Sequence, residues 1–147
     1  GLLQAAPNDK PNIAAVGVGG KGWSDITEAS KNDAANVVAF CDVDAAGASR
    51  NNKKKANSGF AAAAEKWPNA KRYRDWREML DKEAQRLNGV TVSTPDHMHA
   101  PIAMRAMNRG LHVYGQKPLT QTIHEARRLT EVAAEKKLVT QTPQVKF

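Results

Sequence analysis

The chain has 147 residues, a length that suits one domain with a substantial core and is short for two. Its formal charge is +7, but the excess cations cluster at residues 53–55 and 71–77 among few aromatic residues, which is typical of solvated helical faces. No nucleic-acid-binding motif accompanies that charge and no apolar segment reaches membrane-spanning length, so we expect neither nucleic acid nor a membrane as partner. The single cysteine, Cys41, cannot build a disulfide framework, and we expect a small buried side chain there.

Short apolar runs and helix-forming segments alternate along the chain after a loop-like tail at residues 1–11. The apolar runs predict strands at residues 12–18, 36–41, 71–73, 89–93, 111–116 and 138–141. The other segments predict helices at residues 22–30, 45–66, 75–80, 99–108 and 122–137, with Asp44 as N-cap of the second and an interruption of it at residues 57–59. This alternation predicts an α/β fold: a doubly wound parallel sheet of the Rossmann type between two helical layers, in a three-layer αβα arrangement.

The spacing of apolar side chains predicts which helix faces are buried. In the first helix, Trp23, Ile26 and Ala29 recur every three residues along one face. In the last helix, Thr122 and Glu125 have the spacing of a capping box. The core-facing stripe predicted for that helix consists of Ile123, Ala126, Leu129 and Ala133.

A glycine-rich turn, Gly-Val-Gly-Gly-Lys-Gly at residues 17–22, follows the first predicted strand and opens the first predicted helix. This G-x-G-x-x-G context is the one that binds the pyrophosphate of a dinucleotide. Gly17 permits the tight turn, Gly19 lets the backbone approach the phosphates, and Gly22 allows the helix to pack closely on the strand. The helix N-terminus then offers unpaired N–H groups to the phosphates.

Asp42 ends the second predicted strand and lies 20 residues after Gly22. An acidic residue at this distance hydrogen-bonds the adenosine ribose in dinucleotide sites. Because a carboxylate repels a 2′-phosphate, the sequence favours NAD over NADP. Arg50 and the lysines at residues 53–55 weaken that preference, since a nearby cation can accommodate the phosphate.

Two further segments follow the fourth and fifth predicted strands: Ser-Thr-Pro-Asp-His-Met-His at residues 93–99 and Gln-Lys-Pro at residues 116–118. Both are expected at the carboxyl edge of the sheet, bordering the crevice where the strand order reverses. Lys117 would then point into this crevice. The acidic and histidine side chains of residues 96–99 have spacings found in metal sites, but no further Cys/His cluster supplies the remaining ligands, so we expect no metal.

Together these motifs resemble the glucose–fructose oxidoreductase/inositol dehydrogenase (Gfo/Idh/MocA) family, with matches at residues 12–22, 40–44, 92–101, 112–120 and 122–141. The resemblance implies that residues 12–147 form an NAD(P)-binding domain, and that a larger substrate domain lies outside this chain. It implies these contacts: Gly17, Gly19, Gly20, Lys21 and Gly22 at the pyrophosphate, Asp42 at the ribose, Ser93, Thr94, Pro95 and His99 at the ribose and nicotinamide, with Gln116 and Lys117 beside the nicotinamide.

The resemblance further implies a bacterial oxidoreductase that transfers hydride between NAD and a sugar, polyol or related hydroxyl compound. Lys117 matches the lysine of the family's Glu-Lys-Pro motif, where its ammonium polarises the reacting oxygen or takes part in proton transfer. Gln116 replaces the glutamate of many members, which puts a proton relay through that acid in doubt. NAD-dependent glycoside cleavage and a non-catalytic dinucleotide-binding module are the alternatives. The resemblance leaves cytoplasmic and exported locations open, and we expect the full-length protein to be a homo-oligomer.

Overall fold

The computed structural model describes residues 9–44 and 58–143. The strands there are β1 (Asn12–Val16), β2 (Asn36–Cys41), β3 (Lys71–Tyr73), β4 (Gly89–Val92), β5 (His112–Gly115) and β6 (Thr140–Gln141). The helices are α1 (Gly20–Ala29), α2 (Phe60–Lys66), α3 (Trp76–Glu83), α4 (His99–Asn108) and α5 (Ile123–Glu135). No helix in these two ranges is both long and apolar enough to cross a lipid bilayer.

The six strands form one sheet in the order β3-β2-β1-β4-β5-β6, and every neighbouring pair is parallel. The order reverses between β1 and β4, as in a doubly wound sheet. Side chains alternate across β1: Ala14 and Val16 pack into one core, and Ala15 packs into the other. The first core includes buried residues of α3, α4 and α5, and the second includes those of α1 and α2. The predicted three-layer fold is confirmed.

The predicted elements are present, with differences at their ends. β1 and β4 end before the predicted residues because the chain turns at once, at Gly17 and at Ser93. Helix α3 extends to Glu83 beyond its predicted end, and Asp75 caps it by accepting a hydrogen bond from the backbone N–H of Arg77 at 2.8 Å. Of the long helix predicted at residues 45–66, the structure describes only α2; residues 45–57, and with them the capping role of Asp44, lie outside the described ranges.

The predicted helix faces need two corrections. In α1 the buried residues are Gly22, Asp25 and Ile26, while Ala29 is exposed, so the predicted face was wrong at that residue. In α5 the capping box is present, but Ile123 is 73% exposed. Ile123 occupies the first position after the N-cap Thr122, in the first turn of α5. Leu129 and Val132 are the side chains of α5 that enter the core.

Cys41 is a buried free thiol at the end of β2. Removal from water raises the pKa of this thiol to about 12, and the nearby carboxylate of Asp42 adds to the effect. The prediction of a small buried side chain is confirmed.

Candidate functional site

The strand register brings four loops side by side at the carboxyl edge of the sheet. Val16 is aligned with Cys41 on one side and with Val92 on the other, and Val92 is aligned with Gly115. The residue that follows each of β1, β4 and β5 donates its backbone N–H to the neighbouring strand. These bonds join Gly17 N to Cys41 O at 2.8 Å, Ser93 N to Val16 O at 2.8 Å, and Gln116 N to Val92 O at 2.9 Å. The glycine turn, Asp42, Ser93 and Gln116 therefore emerge along one rim.

Two glycines of the turn allow close backbone packing because they have no side chain. Gly17 has a φ of +87°, and a Cβ there would lie 2.3 Å from the carbonyl oxygen of Ser93. A Cβ on Gly22 would lie 2.2 Å from the carbonyl oxygen of Gly17. At Gly19, by contrast, the one described atom that a Cβ would approach within 4 Å is a carboxylate oxygen of Asp42, at 3.9 Å. Gly17 and Gly22 are thus required by packing within the protein, whereas Gly19 leaves open space above the turn.

Helix α1 begins directly at this turn. Gly20 is its first residue, with a φ of +52°, and no side chain caps the helix N-terminus. The N–H groups of a first helical turn have no partners within the helix and carry partial positive charge. The open space above Gly19 therefore adjoins hydrogen-bond donors suited to an anion such as a pyrophosphate.

Asp42 is fixed beside the turn by its two carboxylate oxygens. Oδ2 accepts a hydrogen bond from the backbone N–H of Val18 at 2.9 Å, and Oδ1 accepts one from the backbone N–H of Asp44 at 3.0 Å. The side chain is partly exposed. The carboxylate thus holds the glycine turn against β2 and keeps lone pairs available on the open side for further donors.

Asp25 is a buried charged residue that the sequence did not indicate. It lies on α1, is 7% exposed, and accepts hydrogen bonds from two other segments of the site and from its own helix. Oδ2 accepts from the hydroxyl of Ser93 at 2.7 Å and from the side-chain amide of Gln116 at 2.8 Å, and Oδ1 accepts from the ammonium of Lys21 at 2.8 Å. The only local signal was its position four residues after Lys21, an i, i+4 spacing that puts both residues on one helix face.

Asp25 shifts the pKa values of two neighbouring side chains. Its hydrogen bond raises the pKa of the Lys21 ammonium, which is otherwise largely exposed. Burial raises the pKa of the Tyr114 phenol, and the charge of Asp25 raises it further.

His99 links the two loops that follow β4 and β5. Its ring is 1% exposed, with Nε2 2.7 Å from the carbonyl oxygen of Thr94 and Nδ1 2.7 Å from that of Pro118. Its described contacts are therefore with the loops themselves, beneath the open side of the site. The hydroxyl oxygen of Thr94 is buried and has no hydrogen-bond partner within the described residues, so the site contains an unused polar atom.

Lys117 and Gln116 lie together at the end of β5 in different environments. Gln116 is buried, and besides its bond to Asp25 its side-chain oxygen accepts a hydrogen bond from the backbone N–H of Lys117 at 3.3 Å. The side chain of Lys117 is exposed where the chain leaves β5, and the Lys117–Pro118 peptide bond is cis. Among the described residues, no three His, Cys, Asp or Glu side chains are grouped so that they could hold a metal ion.

The sequence that forms this site matches a known protein family. Residues 11–143 match the sequence model described as the oxidoreductase family with an NAD-binding Rossmann fold, Gfo/Idh/MocA. The chain belongs to this family. Its cofactor is accordingly NAD, as predicted, and the resemblance drawn from the motifs is confirmed.

Individual relatives of this Gfo/Idh/MocA domain differ in their chemistry. Levoglucosan dehydrogenase of Pseudarthrobacter phenanthrenivorans is 34% identical over 65 residues, 44% of this chain and 16% of that protein. A glycosyl hydrolase family 109 protein of Shewanella sp. (strain MR-4) is 28% identical over 121 residues, 82% of this chain and 25% of that protein. The solved myo-inositol 2-dehydrogenase of Lactobacillus plantarum has the same fold, with a TM-score of 0.75 and 20% identity over 92% of this chain and 36% of that one. The chain thus spans about a third or less of these relatives.

The residues present fit a bound dinucleotide. The open space over Gly19 lies between the uncapped N-terminus of α1 and the Asp42 carboxylate, which matches a phosphate next to a ribose. The unpartnered hydroxyl of Thr94 lies further along the same rim. The predicted site residues therefore meet at one edge of the sheet, although His99 supports the loops from below.

Proposed function

We propose that this domain binds NAD across the switch point between β1 and β4, and that the full-length protein is an oxidoreductase acting on a sugar, polyol or related hydroxyl compound. The observation that carries the proposal is the shared rim: Gly19, Asp42 and Lys117 follow parallel strands whose carboxyl ends are in register. Ligands of open α/β sheets bind at this edge. A homo-oligomeric state of the full-length protein stays a prediction.

Each segment of the site contacts a different part of the cofactor in this assignment. The N–H groups of the first turn of α1 bind the pyrophosphate over Gly19, and Asp42 accepts hydrogen bonds from the adenosine ribose. The hydroxyl of Thr94 hydrogen-bonds the nicotinamide half, since it is a buried polar atom at the rim with no hydrogen-bond partner among the described residues. His99 keeps the Thr94 and Pro118 loops at a fixed separation.

Lys117 is the residue we assign to chemistry. The bound nicotinamide supplies hydride acceptance and donation. Lys117 projects from a loop whose backbone is held by Gln116, so its ammonium can hydrogen-bond the reacting hydroxyl of a substrate that enters from the exposed side. There it stabilises developing negative charge on that oxygen or takes part in moving its proton.

NAD-dependent glycoside cleavage is the second candidate. One observation favours it: the similarity to the Shewanella glycosyl hydrolase family 109 protein extends over 82% of this chain, against 44% for the levoglucosan dehydrogenase. The two activities give different products. A dehydrogenase accumulates reduced cofactor as substrate is consumed, whereas a glycosidase that retains its cofactor releases an aglycone with no net reduction.

The test uses the full-length protein. NAD affinity is measured by calorimetry, and panels of polyols, sugars and aryl glycosides are then assayed for NADH and for released phenol. We expect Lys117→Ala to lower turnover by about 10²–10⁴-fold, the usual contribution of a positioned acid or base, while NAD affinity changes little. Lys136→Ala, which removes an exposed lysine just after α5, serves as the matched control. Undiminished turnover in Lys117→Ala would remove the lysine from the mechanism, and NAD binding without either product would support a non-catalytic module.

A further inference from the structure

A buried carboxylate in this site is connected to the segment that carries Lys117. Asp25 on α1 accepts a hydrogen bond from the Gln116 side-chain amide at 2.8 Å, and the oxygen of the same amide accepts one from the backbone N–H of Lys117 at 3.3 Å. The amide thus bridges two partners: it donates a hydrogen bond to Asp25 and accepts one from Lys117. Both Asp25 and Gln116 are buried, at 7% and 6% exposure, so water does not replace these bonds.

From this chain of contacts we infer that Asp25 is a positioning residue that sets the Lys117 segment through the Gln116 amide, and that position 116 must carry an amide because its buried partner is a carboxylate. This inference rests on the proposed function, in which Thr94 hydrogen-bonds the nicotinamide half of the cofactor and Lys117 hydrogen-bonds the reacting hydroxyl of the substrate. Asp25 itself contacts neither substrate nor cofactor in this assignment.

The identity of residue 116 follows from hydrogen-bond chemistry. An ionised carboxylate only accepts hydrogen bonds, so Asp25 requires donors from every side. Lys21, Ser93 and Gln116 each supply one, and Lys21 also supplies the compensating positive charge. A glutamate at 116 would bring a second carboxylate to the 2.8 Å contact that the amide now makes with Asp25. Two carboxylates at that separation share a proton and repel each other once both are ionised.

The same contacts explain why a change at Gln116 should weaken binding of the nicotinamide half of the cofactor and leave binding of the adenosine half unchanged. Asp25 holds the loop after β4 through Ser93 and the loop after β5 through Gln116, whereas the contacts given for Asp42 and Gly19 do not involve Gln116. The charged or titratable groups facing Asp25 are Lys21 on its own helix and Tyr114 on β5.

The deciding experiment compares NAD with ADP-ribose, which lacks the nicotinamide, as ligands of the full-length protein. In Gln116→Glu we expect NAD affinity to fall by at least about tenfold between about pH 5.5 and pH 8, as the second carboxylate loses its proton, with ADP-ribose affinity changing less than about threefold. In the double variant Asp25→Asn/Gln116→Glu the amide and the carboxylate exchange places. We expect it to regain NAD affinity to within about threefold and to lose the pH dependence.

Two controls complete the design. Gln85→Glu adds the same charge at an exposed position in the turn after α3 and should alter neither ligand's affinity. If Gln116→Glu does not fold, Gln116→Met removes the donor without adding charge, and we expect weaker NAD binding at all pH values with ADP-ribose binding preserved. Equal losses for NAD and ADP-ribose, or a double variant no better than Gln116→Glu, would overturn this inference alone. An unaltered protein that binds neither ligand would overturn the proposed function.

Discussion

Gly22 and Gly17 pack so closely that a Cβ on Gly22 would lie 2.2 Å from the carbonyl oxygen of Gly17. The obstacle is backbone at the start of the glycine turn, which cannot move aside without disturbing the first strand crossover. We therefore expect Gly22→Ala to lower the free energy of unfolding by about 1–3 kcal/mol, the usual cost of overpacking. Urea unfolding of the cofactor-free protein measures this loss, and an unchanged midpoint would contradict the packing role of Gly22.

Gly19→Ala is the matched comparison in the same turn. Gly19 has an extended backbone that alanine adopts freely, and within residues 9–44 and 58–143 its Cβ would meet only Asp42 Oδ2, at 3.9 Å. Stability without cofactor should therefore stay within about 0.5 kcal/mol of the unaltered protein. The added methyl group occupies the space assigned to the pyrophosphate, so we expect NAD affinity to fall at least about tenfold, or 1.4 kcal/mol. Calorimetric titration decides this; full affinity in Gly19→Ala would place the phosphates elsewhere.

Asp42 combines a structural and a recognition role, and two substitutions separate them. Asp42→Asn keeps an acceptor for the Val18 N–H but removes the charge, whereas Asp42→Ala removes both. We expect both variants to narrow the preference for NAD over NADP, because the repulsion of a 2′-phosphate is gone. Only Asp42→Ala should also destabilise the cofactor-free protein, by about 1–3 kcal/mol for an unsatisfied buried donor.

The measurement is the thermal shift produced by saturating NAD and NADP, with and without each substitution. An unchanged NAD preference in both variants would show that the ribose is recognised by other residues. Arg74 is a described cation near Asp42, since its guanidinium donates a hydrogen bond to the carbonyl oxygen of Val43, the next residue in the chain.

Most of the fold could be predicted from the sequence because the patterns that indicate it involve residues close together in the chain. The glycine turn, the residue ending β2 and the Thr122–Glu125 capping box each depend on neighbours a few positions away, and all were recovered. Parallel strands then align their carboxyl ends, so the shared rim followed from element order alone.

Asp25 could not be recovered in this way. Its role depends on Ser93 and Gln116, which lie 68 and 91 residues further along the chain. Within its own helix it has only the spacing of an ordinary i, i+4 ion pair with Lys21, which is common on exposed helices. Long-range hydrogen bonding of this kind becomes visible only once the register of β1, β4 and β5 is known.

Ile123 and Leu129 test the corrected face of α5. Both fit the apolar stripe predicted from periodicity, yet Ile123 is 73% exposed and Leu129 is 5% exposed. Leu129→Ala should therefore cost about 2–5 kcal/mol of unfolding free energy, whereas Ile123→Ala should stay within about 0.5 kcal/mol. Denaturant unfolding of the two variants side by side is the measurement. Comparable losses would mean that Ile123 is covered in the full-length protein.

Cys41 offers a test by pH. Burial raises the pKa of its thiol to about 12, so the native protein should keep it protonated at about pH 9, where an ordinary cysteine is largely thiolate. Alkylation by iodoacetamide, followed by peptide mapping, should label Cys41 only after unfolding. Because the unfolded state deprotonates first, the contribution of the buried thiol is complete below about pH 9 and is lost as the pH rises towards 12. Cys41→Ala should flatten that alkaline slope, and rapid labelling of the native thiol at pH 9 would contradict its burial in the folded chain.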